Sequence, residues 1–209
     1  MYADRKMAGQ RLARLLDAYR GPETVVYGLP RGGVPVAAEI ARALGAPLDV
    51  LLVRKLGVPG QPELAMGAVV DGISPKVVRN QAVIAAYGVD EAAFDQVLAR
   101  ERGVLAERRV RYGGTRVPIP VAGKTAIIVD DGIATGATMK AAIAGLREGG
   151  PRRIIVATPV ASQDTLDALA PMVDAVICPL VPKALMAIGY HYGDFPQVSD
   201  EEVAASLAG

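Results

Sequence analysis

Residues 125–138 read Thr-Ala-Ile-Ile-Val-Asp-Asp-Gly-Ile-Ala-Thr-Gly-Ala-Thr, and this segment constrains the fold more than any other. Five apolar or β-branched residues deliver two adjacent carboxylates to a loop of small residues, which runs into a helical stretch at 138–148 that stops at Gly149-Gly150. A short strand with no polar alternation is buried on both faces, so it belongs inside a parallel sheet that has helices on either side.

The surrounding chain repeats this order. A strand at 24–29 meets the turn Pro30-Arg31-Gly32-Gly33, then a helix at 34–44 ending at Gly45, then a strand at 48–53. After the central segment come a strand at 153–158, a helix at 162–170 and a strand at 175–180. Ahead of all these, Ala8, Leu12, Leu15, Leu16 and Tyr19 recur at helical spacing until Gly21-Pro22. Strands alternating with helices predict an α/β fold with an open, mostly parallel sheet, in which ligands lie beyond the carboxyl ends of the strands.

Between these halves the pattern loosens. A Gly- and Pro-rich loop is predicted at 54–62, short strands at 65–70 and 76–79, and a long helix at 90–111. The reading is one domain over 1–209, with 56–116 as an insertion that forms a flexible cover and 181–209 as a C-terminal hood or tail. Ser199 and Glu202 form a capping box for a last short helix.

Composition narrows the function. With 51% hydrophobic residues a full core is available, and 23 Lys plus Arg against 22 Asp plus Glu leave no global field to hold nucleic acid. No Trp and two Phe argue the same way. The one cysteine, Cys178, excludes an internal disulfide and points to a reducing cytoplasm. The most apolar stretch, 168–190, is broken by Pro171, Asp174, Pro179, Pro182 and Lys183, so a soluble protein with no membrane partner is expected. Charge concentrates only at 100–116, where six Arg face two Glu. A solvated helix face explains that excess as well as closure over a phosphorylated substrate does.

Small loop residues let the backbone approach a phosphate, and the first N–H groups of a helix favour an anion. Thr135 and Thr138 add hydroxyl donors, which completes a monophosphate cradle. Asp130 and Asp131 would repel that phosphate unless they contact something else, and vicinal ribose hydroxyls or magnesium are suitable partners. An ordinary turn with an Asp helix cap explains one Asp and one Thr, but not two consecutive Asp after an apolar strand.

The segment from Ile127 to Thr138 resembles, position by position, the 5-phosphoribosyl-1-pyrophosphate (PRPP) signature of type I phosphoribosyltransferases. The resemblance implies that family's sheet, and a transferase that moves ribose 5-phosphate from PRPP to an acceptor and releases pyrophosphate. It assigns the ribose, and with it catalysis, to Asp130 and Asp131. The 5-phosphate falls to Ala134, Thr135, Gly136, Ala137 and Thr138. It also implies Mg2+ bound mainly through PRPP, with no protein metal site of its own.

Other loops resemble the family less closely. Pro30 to Gly33 is similar to its pyrophosphate loop, where a cis peptide often precedes the basic residue, so Arg31 and Gly32 would grip the leaving group. Arg54 and Lys55 resemble the Arg-Lys loop of adenine phosphoribosyltransferases and would neutralise pyrophosphate, with Gly57 and Gly60 giving that loop freedom to move. Glu63 just beyond is a candidate proton acceptor, against the plainer reading of a solvated charge. Tyr192 and Phe195 could stack on an acceptor base, or simply pack a terminal segment. His191, the single histidine, reads as a surface or packing residue.

Enzymes of this family acting on 6-oxopurines usually carry an Asp where this chain has Ala134, so adenine is the leading acceptor and hypoxanthine and guanine are not expected. The rival is a regulatory protein that keeps the fold and senses PRPP without catalysis. A kinase that makes PRPP would need an ATP motif, and Gly123-Lys124-Thr125 is not one, because it precedes its strand. A homodimer is a further expectation.

Overall fold

A computed structural model describes residues 1–71, 75–113 and 117–208. Its main sheet holds β1 (Thr24–Gly28), β2 (Leu48–Val50), β6 (Thr125–Val129), β7 (Arg153–Ala157) and β8 (Ala175–Ile177) in the order β2-β1-β6-β7-β8, all parallel. Three further strands, β3 (Val53–Val58), β4 (Gln61–Val70) and β5 (Lys76–Arg79), form a second, antiparallel sheet. The helices are α1 (Arg5–Leu15), α2 (Gly33–Leu44), α3 (Gln81–Ala86), α4 (Glu91–Gly113), α5 (Ala137–Arg147), α6 (Gln163–Leu169) and α7 (Asp200–Ala208).

All five residues of β1 and of β6 are buried, which is why neither shows polar alternation. Period two still sorts their side chains. Val25, Tyr27, Ala126 and Ile128 face α5 through Met139, Ile143 and Leu146. Val26, Ile127 and Val129 face α2 through Val36, Ile40 and Leu44, with Leu12 and Leu16 joining that face from the N-terminal segment. From β1 the chain winds outward through α2 to β2; from β6 it winds the other way through α5 to β7. The winding therefore reverses between β1 and β6, and the crevice beyond their carboxyl ends is the place such sheets bind ligands.

The middle of the chain differs from the expected loop. Only Pro59 and Gly60 turn, with Gly60 at φ +79°, and the residues on either side pair as a β3–β4 hairpin. Proline followed by a positive-φ glycine is a turn signal, but the neighbouring Gly57 and Pro62 are strand residues. Gly57 sits at a register shift, where a Cβ would lie 2.5 Å from the Pro62 carbonyl oxygen. Arg54 and Lys55 thus stand on β3, not on a loop, and Glu63 stands on β4.

This second sheet shares a core with its neighbours. Leu56, Val58, Met66 and Val69 pack with Phe94, Val97, Leu98 and Leu105 of α4, with Val50 and Leu52, and with Val203 and Leu207 of α7. The expected capping box is present, with Ser199 N–H donating to Glu202 at 2.7 Å and Glu202 N–H to Ser199 Oγ at 3.1 Å. Arg116, counted in the Arg-rich stretch, and residues 72–74 and 114–116 of the expected cover lie outside the described residues, as does Gly209 of the tail. Among the described residues no helix is long and apolar enough to cross a membrane.

Candidate functional site

Gly28 pairs with Val129, and Leu29 N–H donates to the Val129 carbonyl at 2.8 Å, so the loops leaving β1 and β6 start at one level on one rim. After β6 the chain turns at Gly136, φ +74°, a value that favours glycine. Three bonds shape the loop: Asp131 N–H to Asp130 Oδ1 at 2.9 Å, Ile133 N–H to the Val160 carbonyl at 2.9 Å, and Thr165 hydroxyl to the Ala134 carbonyl at 2.6 Å. Ala134, Thr135, Ala137 and Thr138 are left exposed to solvent.

The helix ends set this rim apart. Asp4, Asn80, Asp90, Ser162 and Ser199 each accept a backbone N–H in the first turn of α1, α3, α4, α6 and α7. Neither α2 nor α5 has a side-chain cap, and these two helices begin at the loops that flank the crevice. In α2 the Gly33 and Val34 N–H groups turn back to the Leu29 and Arg31 carbonyls at 3.0 and 3.2 Å. The exposed first turn of α5 is the better placed of the two to meet an anion.

The first loop packs against the acidic pair. The Pro30–Arg31 peptide is cis, and Gly32 lies so close to Asp131 that a Cβ there would overlap the carboxylate. Burial raises the Asp130 pKa well above its ordinary value, and the adjacent Asp131 charge adds to the rise. Exposed Arg31 lies 3.9 Å from Asp200 at the start of α7.

Asp131 has a partner that sequence reasoning missed. Arg5 Nε donates to its Oδ2 at 2.8 Å and Arg5 Nη1 to the Pro196 carbonyl at 2.8 Å, while the guanidinium lies 3.8 Å from the Phe195 ring centre. Tyr192 is buried, stacks on Phe195 with centroids 4.7 Å apart, and donates its hydroxyl to the Asp131 carbonyl at 2.6 Å. Burial, then the Asp131 charge, pushes the Tyr192 pKa far up and keeps that donor protonated. The two aromatics expected at an acceptor base are thus packed beside the acidic pair. No local pattern links Arg5 to a residue 126 positions away, so nothing in the sequence could have found it.

Arg54 and Lys55, the other cations expected at pyrophosphate, are engaged with protein carboxylates. Arg54 Nη2 lies 2.7 Å from Glu101, a buried residue that Arg100 also contacts at 3.1 Å. Burial alone would raise the Glu101 pKa, but hydrogen bonds and charge from Arg54 and Arg100 outweigh it and hold the group low. Lys55 pairs with Glu63 at 3.2 Å, and the Glu63 side chain is 97% exposed.

Residues 3–177 match the family model for the phosphoribosyl transferase domain. The chain belongs to that family. Relatives include Rv0571c of Mycobacterium tuberculosis strain H37Rv, provisionally named a phosphoribosyl transferase. It is 46% identical over 208 residues, or 99% of this chain and 46% of the relative. The counterpart MT0597 in strain CDC 1551 matches with the same values and is named in the same way, so the chain spans about half the length of the curated relatives it matches. Among solved structures, TT1426 of Thermus thermophilus is 43% identical, with a TM-score of 0.87 over 99% of this chain and 97% of that one. The AQ2163 protein of Aquifex aeolicus, 13% identical with a TM-score of 0.51 over 97% and 84%, shares the fold.

The matched span includes the acidic pair and the exposed loop at residues 130–138. No third acidic, His or Cys donor joins the pair in a metal-holding group among the described residues. A larger cavity of about 300 Å3 opens elsewhere, lined by Tyr27, Asp49, Arg109, Ile119, Leu146 and Gly149. It sits at the C-terminal end of α5, whereas the acidic pair and the exposed loop sit at the N-terminal end.

Proposed function

We propose that the protein transfers ribose 5-phosphate from PRPP to a nucleobase, with adenine the leading acceptor, and releases pyrophosphate. The observation that carries this reading is the pairing of two uncapped helices on either side of one carboxylate pair, at the crevice where the sheet reverses its winding. Ala134 to Thr138 would bind the 5-phosphate through N–H and hydroxyl groups, Asp130 and Asp131 would accept from the ribose hydroxyls, and Arg31 with Gly32 would hold the pyrophosphate.

The chemistry is substitution at the anomeric carbon. A bond forms from the acceptor nitrogen, the bond to the pyrophosphate oxygen breaks, pyrophosphate leaves with the electron pair, and the acceptor's N–H proton is released. Positioning and charge stabilisation supply the rate, with no covalent nucleophile. Magnesium, held by PRPP oxygens beside Asp130 and Asp131, would offset leaving-group charge. Ala134 has no proton acceptor to offer, and Glu63 could serve as one only by coming away from Lys55, which favours an acceptor that needs no such help. We place the reaction in the cytoplasm and expect a second copy of the chain as the partner in a dimer.

The test is pyrophosphate release from PRPP and magnesium with adenine, hypoxanthine, guanine, orotate and uracil. Turnover with adenine supports the proposal. Efficient turnover with hypoxanthine or guanine contradicts the Ala134 argument, and PRPP bound without turnover on any base favours a sensor over a transferase.

A further inference from the structure

Arg102 and Arg108 of α4 are both exposed without a hydrogen bond or ion pair among the described residues, and of the two Arg108 lines a cleft. Arg109 is held by Asp49 at 2.8 Å and Asp71 at 2.6 Å, and Arg111 by Asp200 at 2.9 Å. Arg108 between them is exposed and makes no hydrogen bond or ion pair with the described residues. It lines a small cleft with Leu105, and the opposite walls are Leu29 and Pro30 of the first loop, residues 51–53, and Thr138 of the phosphate loop. Arg108 therefore reaches the gap between the two loops that begin at the uncapped helices. The cleft measures about 30 Å3, too small for a base or a ribose.

The surrounding charge is unbalanced. Arg31 and Arg111 both lie against the single carboxylate of Asp200, at 3.9 Å and 2.9 Å. The hydroxyl of Tyr112, buried and bonded to Asp200, has its pKa raised by burial first and then by Asp200, with Arg108 and Arg31 opposing the rise. Arg31 and Arg111 thus share one carboxylate while Arg108 has no ion-pair partner among the described residues, an arrangement that suits a diphosphate.

We propose that Arg108 is a substrate-contacting residue, the cation by which α4 grips the pyrophosphate portion of a ligand bound across the Pro30 and Thr138 loops. This rests on the PRPP reading above. It gives the Arg-rich helix a part in the site that Arg54, already held by Glu101, does not fill.

The test is calorimetric titration of inorganic pyrophosphate and, separately, of ribose 5-phosphate into the full chain with magnesium. The proteins are the wild type, Arg108→Gln, Arg108→Lys and Arg102→Gln, the last removing an exposed charge from the same helix. We expect Arg108→Gln to weaken pyrophosphate at least ten-fold, with ribose 5-phosphate and the thermal midpoint little changed. Arg108→Lys should restore part of the loss, and Arg102→Gln should match wild type. Unchanged pyrophosphate affinity in Arg108→Gln, or a loss as large for ribose 5-phosphate, overturns the assignment while leaving the PRPP reading standing. Wild type that binds neither ligand overturns both.

Discussion

Arg5 Nε and Asp131 Oδ2 lie 2.8 Å apart, joining the first helix to the carboxylate that also abuts Gly32. The two side chains are only 11% and 14% exposed, so water has limited access to either partner. Removing one partner from such a pair leaves a buried charge and costs about 3 kcal/mol. Arg5→Met, which keeps apolar contact with Phe195, should lower the denaturant midpoint accordingly, and Asp131→Asn should add little to it in the double variant. Additive losses would show that the two residues are not coupled.

Asp130 carries a pH-dependent cost. Its folded pKa lies above the ordinary 3.8 because its carboxyl is desolvated beside Asp131. The folded state therefore holds the proton more tightly, and this contribution to stability is complete below the unfolded value and lost as pH rises through the folded one. Asp130→Asn should gain thermal stability over wild type at pH 8 and none at pH 3, while binding PRPP more weakly. An equal change in melting temperature at both pH values would count against the raised pKa.

Arg109 fastens α4 to the ends of β2 and β4 through Asp49 and Asp71, next to Arg108. Arg109→Met leaves two carboxylates in a largely buried position and should cost about 3–5 kcal/mol in urea unfolding. A loss below about 1 kcal/mol, the range of exposed pairs, would show that water reaches the network.

The parts legible in the sequence were those whose causes are local. Thr125–Val129 is read as a strand because every residue of it is buried, and residues 130–137 as a loop because small residues follow it directly. The β3–β4 hairpin was not legible, because Gly57, Pro59, Gly60 and Pro62 together look like one loop when only two of them turn. Nor were the partners of the charged residues. Arg54 meets Glu101 across 47 positions and Arg5 meets Asp131 across 126, contacts that exist only after the sheets and helices have packed.

The most direct measurement is calorimetry of PRPP with magnesium against wild type and the Asp130→Asn, Asp131→Asn double variant, with circular dichroism to confirm that the variant is folded. The account predicts saturable binding by wild type and a loss of at least ten-fold in the folded variant. Equal affinity in the two proteins would contradict it.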